Sequence, residues 1–177
     1  MQWHDHHGDS LMGRLSRRDR SAGQTLMEFA LVIPMVVLLL LAVFDMGRGV
    51  YGLSAVDNAA RMGGRTAIVN QAATDIRQRA ADQATGLGID ASAVACDAVT
   101  NVPTTTSGVC VQFKQPDLSA SCALLEVGCI AVVTTKWTFN PITPLLGQFI
   151  GPVALTSTTQ IPIESTCTAG YPTCPKP

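Results

Sequence analysis

Charge is scarce in this chain, aromatic side chains are few, and histidine is confined to one short stretch. Charged residues make up 14% of its 177 positions and aromatic ones 5%, with a net charge of −1. That balance supplies no basic patch for a phosphate backbone, so nucleic acid is not an expected partner. All three histidines (His4, His6, His7) lie near the N-terminus, where they cannot form a Ser-His or Cys-His pair with the exported part of the chain. No glycine-rich phosphate loop follows a strand-like segment. Asp75, Asp82, Asp90, Asp97, Asp117 and Glu126 are scattered rather than paired. No C-x-x-C spacing occurs among the six cysteines, which argues against a structural zinc. The expectation is a protein without catalytic residues, metal, cofactor or small-molecule substrate.

What the chain has in quantity is one apolar run. From Phe29 to Phe44 no residue is charged, and Asp45 closes the stretch. As a helix those residues extend about 24 Å at about 1.5 Å per residue. Leu26, Met27 and Met46 lengthen the run toward the roughly 30 Å hydrocarbon core of a bilayer. Arg14, Arg17, Arg18 and Arg20 precede it, the pattern of a cytoplasmic N-terminus. Residues 24–46 are therefore predicted to cross a membrane once, with the rest of the chain outside the cytoplasm.

Glu28 is the anomaly, because it sits just inside the apolar edge. A carboxylate at membrane depth costs on the order of 2.5–3.5 kcal/mol on the insertion scale unless it is partnered. If the chain is cut after Gly23, Gln24 acquires an α-ammonium group, and Glu28 lies four residues further along the same helix face. The amine and the carboxylate then pair within one chain or between neighbouring chains. The carboxylate also suits the positive end of the helix dipole.

Gly23 followed by four residues, Glu28 and Phe29, and then an apolar helix containing Pro34, resembles the type IV prepilin-like processing site. The wider stretch includes Gly23 to Pro34, Phe44-Asp45-Met46-Gly47-Arg48 and Asn58-Ala59-Ala60-Arg61-Met62-Gly63-Gly64-Arg65. It is similar to the TadE-type pseudopilins of tight-adherence (Flp pilus) systems, closely from Gly23 to about Val69. The likeness returns more weakly at Pro141-Ile142-Thr143-Pro144-Leu145-Leu146. It implies cleavage between Gly23 and Gln24 by a prepilin peptidase, with Glu28 and Phe29 as the processing and assembly motif. It also implies the inner membrane, other pilins or pseudopilins and a pilus assembly platform as partners. The TadE and TadF types share this pattern.

Other readings of the N-terminus compete. Ser16-Arg17-Arg18 is similar to a twin-arginine signal, but Asp19-Arg20 stands where an apolar residue is expected. A secretory signal peptide would need a small-x-small cleavage site just after the run, and the nearest, Leu53-Ser54-Ala55, is well downstream. An uncleaved single-pass anchor is the stronger rival. Residues 1–23 are thus read as a basic cytoplasmic leader, and the Trp3–His7 cluster as a disordered terminus rather than a metal site.

Residues 47–70 are predicted to continue the helix outside the membrane. Gly47, Gly49, Gly52, Ala55, Ala59, Ala60, Gly63 and Gly64 suit close helix–helix approach, and Val50, Leu53, Val56 and Ile68 supply a sparse apolar stripe. Arg48, Arg61, Arg65, Asp45 and Asp57 are expected on the outer side, with an Asp57–Arg61 pair. Residues 71–177 read as a small α+β domain. A second helix is predicted over 72–86, with Ile76, Ala80 and Ala84 on one face, ended by Gly86-Leu87-Gly88. Alternation then marks three strands, through Val109, Val111 and Phe113, through Ala131 to Phe139, and through Val153 to Ile163. A weaker fourth is expected near 92–100 and a short helix at 145–149. The fold class is α+β: a long transmembrane, pilin-like helix, a second helix and a small antiparallel sheet, stapled by disulfides.

Cys96, Cys110, Cys122, Cys129, Cys167 and Cys174 all follow the apolar run and so fall in the extracytoplasmic region, where disulfides persist. Their connectivity is open. Cys167–Cys174, within a short proline-rich loop, and Cys122–Cys129 are the expected bridges.

Overall fold

The computed structural model describes residues 12–92, 95–122, 127–143, 147–148 and 150–166, with side chains from residue 23 onward. Helix α1 runs Met12–Val69 and helix α2 Ala73–Gln83, followed by a 3-10 turn at Thr85–Leu87. Strands β1 (Gly108–Lys114), β2 (Ile130–Phe139) and β3 (Val153–Pro162) complete the order. The chain divides into two units, Met1–Phe44 and Asp45–Pro177, so the boundary falls within α1.

In the first unit α1 is already helical at Met12, inside the segment read as a leader. Arg14, Arg17, Arg18 and Arg20 with Leu15 and Ala22 make up most of residues 14–22, and good helix formers without proline propagate a helix. The helix continues through Pro34, whose missing N–H removes one backbone hydrogen bond. Side chains of the apolar run stand exposed, among them Leu31, Leu39 and Phe44. This is the one helix among the described residues long and apolar enough to cross a membrane.

The second unit is an antiparallel sheet of order β1-β2-β3, and one of its faces packs against helices. Val109 opposes Thr135 and Val111 opposes Val133 across β1 and β2. Ala131 opposes Ile161 and Trp137 opposes Leu155 across β2 and β3. Thus the expected alternating residues do share one face. Val109, Val111, Ala131, Val133 and Trp137 of that face meet Ala55, Val56, Ala59 and Ala67 of α1, Ile76 and Ala80 of α2, and Ala84 just after it, in one core.

Small residues of α1 serve this contact with the sheet, and among its glycines only Gly63 also serves the close helix–helix approach expected of them, against α2. A Cβ at Gly52 would overlap the Trp137 ring, and one at Gly64 would come within 2.8 Å of both Ile161 and Thr159. At Gly63 it would meet Val133 at 2.8 Å and Ala80 of α2 at 3.2 Å. The predicted apolar stripe divides accordingly. Val56 is fully buried, whereas Val50 and Leu53 remain 62% and 51% exposed.

The other face of the sheet is covered over β1 and β2, while the β3 residues on it, Ala154, Thr156, Thr158 and Gln160, are exposed. Val132, Thr134 and Cys110 are buried there, under the connection between the 3-10 turn and β1. The described residues of that connection form no fourth strand. Its described residues contribute an isolated bridge between Cys96 and Pro103, and Lys136 donates to the Pro103 carbonyl at 3.1 Å. A turn at Asp97 interrupts any extended run: its Oδ1 accepts from the N–H groups of Val99 and Thr100 and from the Thr100 hydroxyl. Most of the predicted helix at 145–149 lies outside the described residues. Gly147 and Gln148 are helical, and Gly147 donates to the Thr143 carbonyl.

Two outcomes are expected. Gly63→Val and Gly64→Val should each destabilise the second unit by about 1–3 kcal/mol through overpacking. Gly47→Ala, whose Cβ meets nothing within 4 Å, should be neutral or stabilising by up to about 1 kcal/mol. Denaturant unfolding of the detergent-solubilised chain measures both. The second outcome concerns pH. The Thr100 N–H foremost, then its hydroxyl and the Val99 N–H, hold the Asp97 carboxyl below its ordinary value. The turn's stabilisation is therefore complete above the unfolded-state pKa and lost as pH falls through the lowered folded value. Amide-exchange protection at Thr100 should drop on acidification below the usual carboxylate range, and Asp97→Asn should show no such step.

Candidate functional site

The motif residues Gly23, Gln24, Glu28 and Phe29 all lie on α1, in its exposed N-terminal part. The helix places Gln24 and Glu28 one turn apart on one face, as i and i+4 require. Phe29 is 62% exposed and starts the uncharged run. Gly23 does not have a positive φ, and a Cβ there would meet no atom within 4 Å. Neither backbone conformation nor packing demands glycine at this position. Hydrolysis of the Gly23–Gln24 bond requires the peptide to leave the helix, and glycine lowers the cost of unwinding by about 1 kcal/mol relative to alanine.

Asp45 closes the run in a way the sequence does not reveal. Expected on the outer side, it is only 3% exposed. Its carboxylate accepts hydrogen bonds from the Ile142 N–H at 3.0 Å, the Thr143 N–H at 2.8 Å and the Thr143 hydroxyl. The Arg48 guanidinium lies 3.5 Å away and also sits over the Phe139 ring, 5.6 Å from its centre. The reason is an accounting one: the two N–H groups after Pro141 lie outside the strands and need an acceptor. Asp45 and the Pro141–Pro144 turn are both visible in the sequence, but 97 and 98 positions separate the bonded residues. No local pattern links them.

Two further polar ties join α1 and its end to distant segments. Asp57 accepts from Arg61 at 2.9 Å, the expected pair, and also from the Ser157 hydroxyl of β3 at 2.9 Å. Gln71, which no motif marks, donates from Nε2 to the Ala67, Ile68 and Ser165 carbonyls. It thereby satisfies carbonyls left over at the C-terminus of α1.

The cysteines form a separate set of staples. Cys122–Cys129 is bridged as expected, with Cα atoms 6.4 Å apart. Cys96–Cys110 is a second bridge, with Cα atoms 5.6 Å apart. It ties the covering connection to β1. Cys167 and Cys174 lie outside the described residues, as do His4, His6 and His7. Among the described residues no group of three or more His, Cys, Asp or Glu side chains is placed to hold a metal ion.

Residues 23–65 match the model of a protein family described as TadE-like protein. The matched span takes in the Gly23–Phe29 motif, the apolar run, Asp45 and the small residues that contact the sheet. No curated protein and no solved structure matches the chain.

Removing the Asp45 carboxylate leaves two N–H groups and a hydroxyl without their acceptor, so Asp45→Ala should destabilise the second unit by at least about 1–3 kcal/mol. Thr143→Val removes one of the three bonds and should cost less. Amide exchange at Ile142 and Thr143, followed in both variants, checks the order: fast in Asp45→Ala, still protected in Thr143→Val.

Proposed function

We propose that this chain, TadE-like over residues 23–65, is a pseudopilin of the Tad system. A prepilin peptidase cuts it after Gly23, and it is needed to assemble a Flp-type pilus or tight-adherence apparatus. Before assembly it rests in the inner membrane as a single-pass protein, with its N-terminus in the cytoplasm and residues 47–177 outside. Its partners are the peptidase, other pilins or pseudopilins and the assembly platform. It acts as a substrate and a subunit rather than as an enzyme.

One observation carries this reading. Gly23 occupies an open position on an exposed helix that makes no structural demand for glycine, five residues before the Glu28 carboxylate at the edge of a long apolar run. A requirement imposed from outside the fold, recognition by a peptidase, accounts for it. Hydrolysis adds water across the Gly23–Gln24 bond, leaving a carboxylate on Gly23 and an ammonium group on Gln24. That ammonium lies on the Glu28 face of the helix, so the cut creates a partner for the charge that is costly at membrane depth. Paired between neighbouring subunits, the two groups set axial register along the apolar helix.

A second reading is an uncleaved single-pass protein that presents its extracytoplasmic part as an adhesive or sensory domain. The favouring observation is that Asp45–Pro177 forms a compact unit of its own, closed by disulfides. Processing separates the two. The intact mass of membrane-extracted protein should lack residues 1–23 only in cells that have their prepilin peptidase. An intact N-terminus in both strains would establish the anchored protein instead. Gly23→Val should leave the longer form in the membrane. Glu28→Val should still insert and be cut but fail to enter filaments. Wild-type assembly by Glu28→Val would dismiss the pairing.

A further inference from the structure

From Trp137 to Ile163 the chain contains no Asp, Glu, Lys or Arg. The middle of this stretch, residues 139–153, joins β2 to β3 at the end of the sheet where Phe139 pairs with Val153. Single exposed apolar residues are ordinary on a protein surface, but here several occur within one uncharged connection and at the adjoining end of the apolar run. Ile142 is 63% exposed, Ile150 59% and Val153 37%, and Met46 on α1 is 74% exposed. Hydrogen bonds hold the described part of the connection together: Ile142 and Thr143 donate to Asp45, Gly147 to Thr143, and Gly151 to Gly147. Asp45 is the residue next to Phe44, the last of the uncharged run. The connection is therefore fastened to the helix where the apolar run stops.

We propose that the described residues of this connection form a lipid-contacting foot, which seats the exposed Ile142 and Ile150 in the headgroup–acyl boundary of the outer leaflet while the subunit resides in the membrane. The proposal rests on residues 24–46 spanning the bilayer. Three observations favour lipid as the occupant. The patch is continuous along the chain with the membrane-spanning run through the Asp45 contact. Its exposed polar groups, Asn140 and Gln148, are neutral, as a boundary position tolerates. The Arg48 guanidinium, 45% exposed beside the Asp45 that holds the connection, is a cation that suits lipid phosphate. An apolar face inserts about 5–10 Å at such a boundary. This placement also gives Asp45 a reason to be buried: an ionised carboxylate at the membrane edge is tolerated when its oxygens are saturated with donors.

The test uses the full-length chain in phosphatidylethanolamine–phosphatidylglycerol vesicles, with single tryptophans added to the native background of Trp3 and Trp137. Ile142→Trp and Ile150→Trp probe the foot, and Leu39→Trp probes the apolar run. Val127→Trp, a 67% exposed position beyond the opposite end of β2, is the control. The ten residues of that strand span about 30 Å. Lipids brominated near the headgroup should reduce the added emission of Ile142→Trp and Ile150→Trp about twofold, the loss expected of a side chain at the headgroup–acyl boundary, and leave Val127→Trp unchanged. Lipids brominated deep in the acyl chain should quench Leu39→Trp. Quenching at either foot position supports the proposal, so one misfolded variant does not decide it. Foot probes quenched no more than Val127→Trp, with Leu39→Trp quenched, would overturn the foot and leave the span standing. That outcome is also what coverage by a second copy of the chain would produce. An unquenched Leu39→Trp would overturn the span, and the foot with it.

Discussion

The close approach of α1 to the sheet is the constraint on which the second unit depends. Gly52, Gly63 and Gly64 meet Trp137, Val133, Thr159 and Ile161 where no Cβ would fit, and Ala55, Ala59 and Ala67 fill the intervals. Such a seam buries little area per residue, and the chain adds cover on both sides of β1 and β2 while leaving the outer face of β3 exposed. α2 extends the helical layer on one side, and the connection stapled by Cys96–Cys110 closes the other. The same helix carries two kinds of surface: small side chains inward, and Met46, Val50 and Leu53 outward. The division suits a helix that is at once the wall of a domain and the extension of a membrane-spanning or filament-forming segment.

A seam of alanine and glycine is tolerant of sliding, because its side chains have little shape. Polar ties resist that. Asp45 holds the 139–153 connection, Asp57 holds β3 through Ser157, and Gln71 holds the chain after β3 through Ser165. Each is buried or half-buried on the α1 side, where an unmade hydrogen bond is costly. Together they fix the axial position of α1 against the sheet at its lower, middle and upper parts.

The legibility of the candidate site follows from distance along the chain. Gly23, Gln24, Glu28 and Phe29 form a local motif that a peptidase would read within a few residues, so it stands out without a structure. Cys122–Cys129 is similarly local, its partners seven positions apart. Asp45, Gln71 and the Cys96–Cys110 bridge are not local. Their partners lie 97 and 98, 94, and 14 positions away, and nothing in the residue types themselves nominates the pairing. The expected strand near residues 92–100 failed for a related reason. Its β-branched composition is real, but Asp97 draws the N–H groups of Val99 and Thr100 into a turn and withdraws them from a ladder.

Composition and periodicity alone determined the apolar run, the helix that carries it, the second helix and the three strands with their inward residues. Each of these depends on a repeat of two or of about 3.6 residues, which the chain displays directly. The side of α1 that faces the sheet was decided only by the tertiary structure. Both sides offer apolar candidates, and hydrophobicity ranks Val50 and Leu53 above Gly63 and Gly64. Steric fit reverses that order, because the sheet lies too close to admit larger side chains, and closeness is a property of the assembled layers rather than of any residue in them.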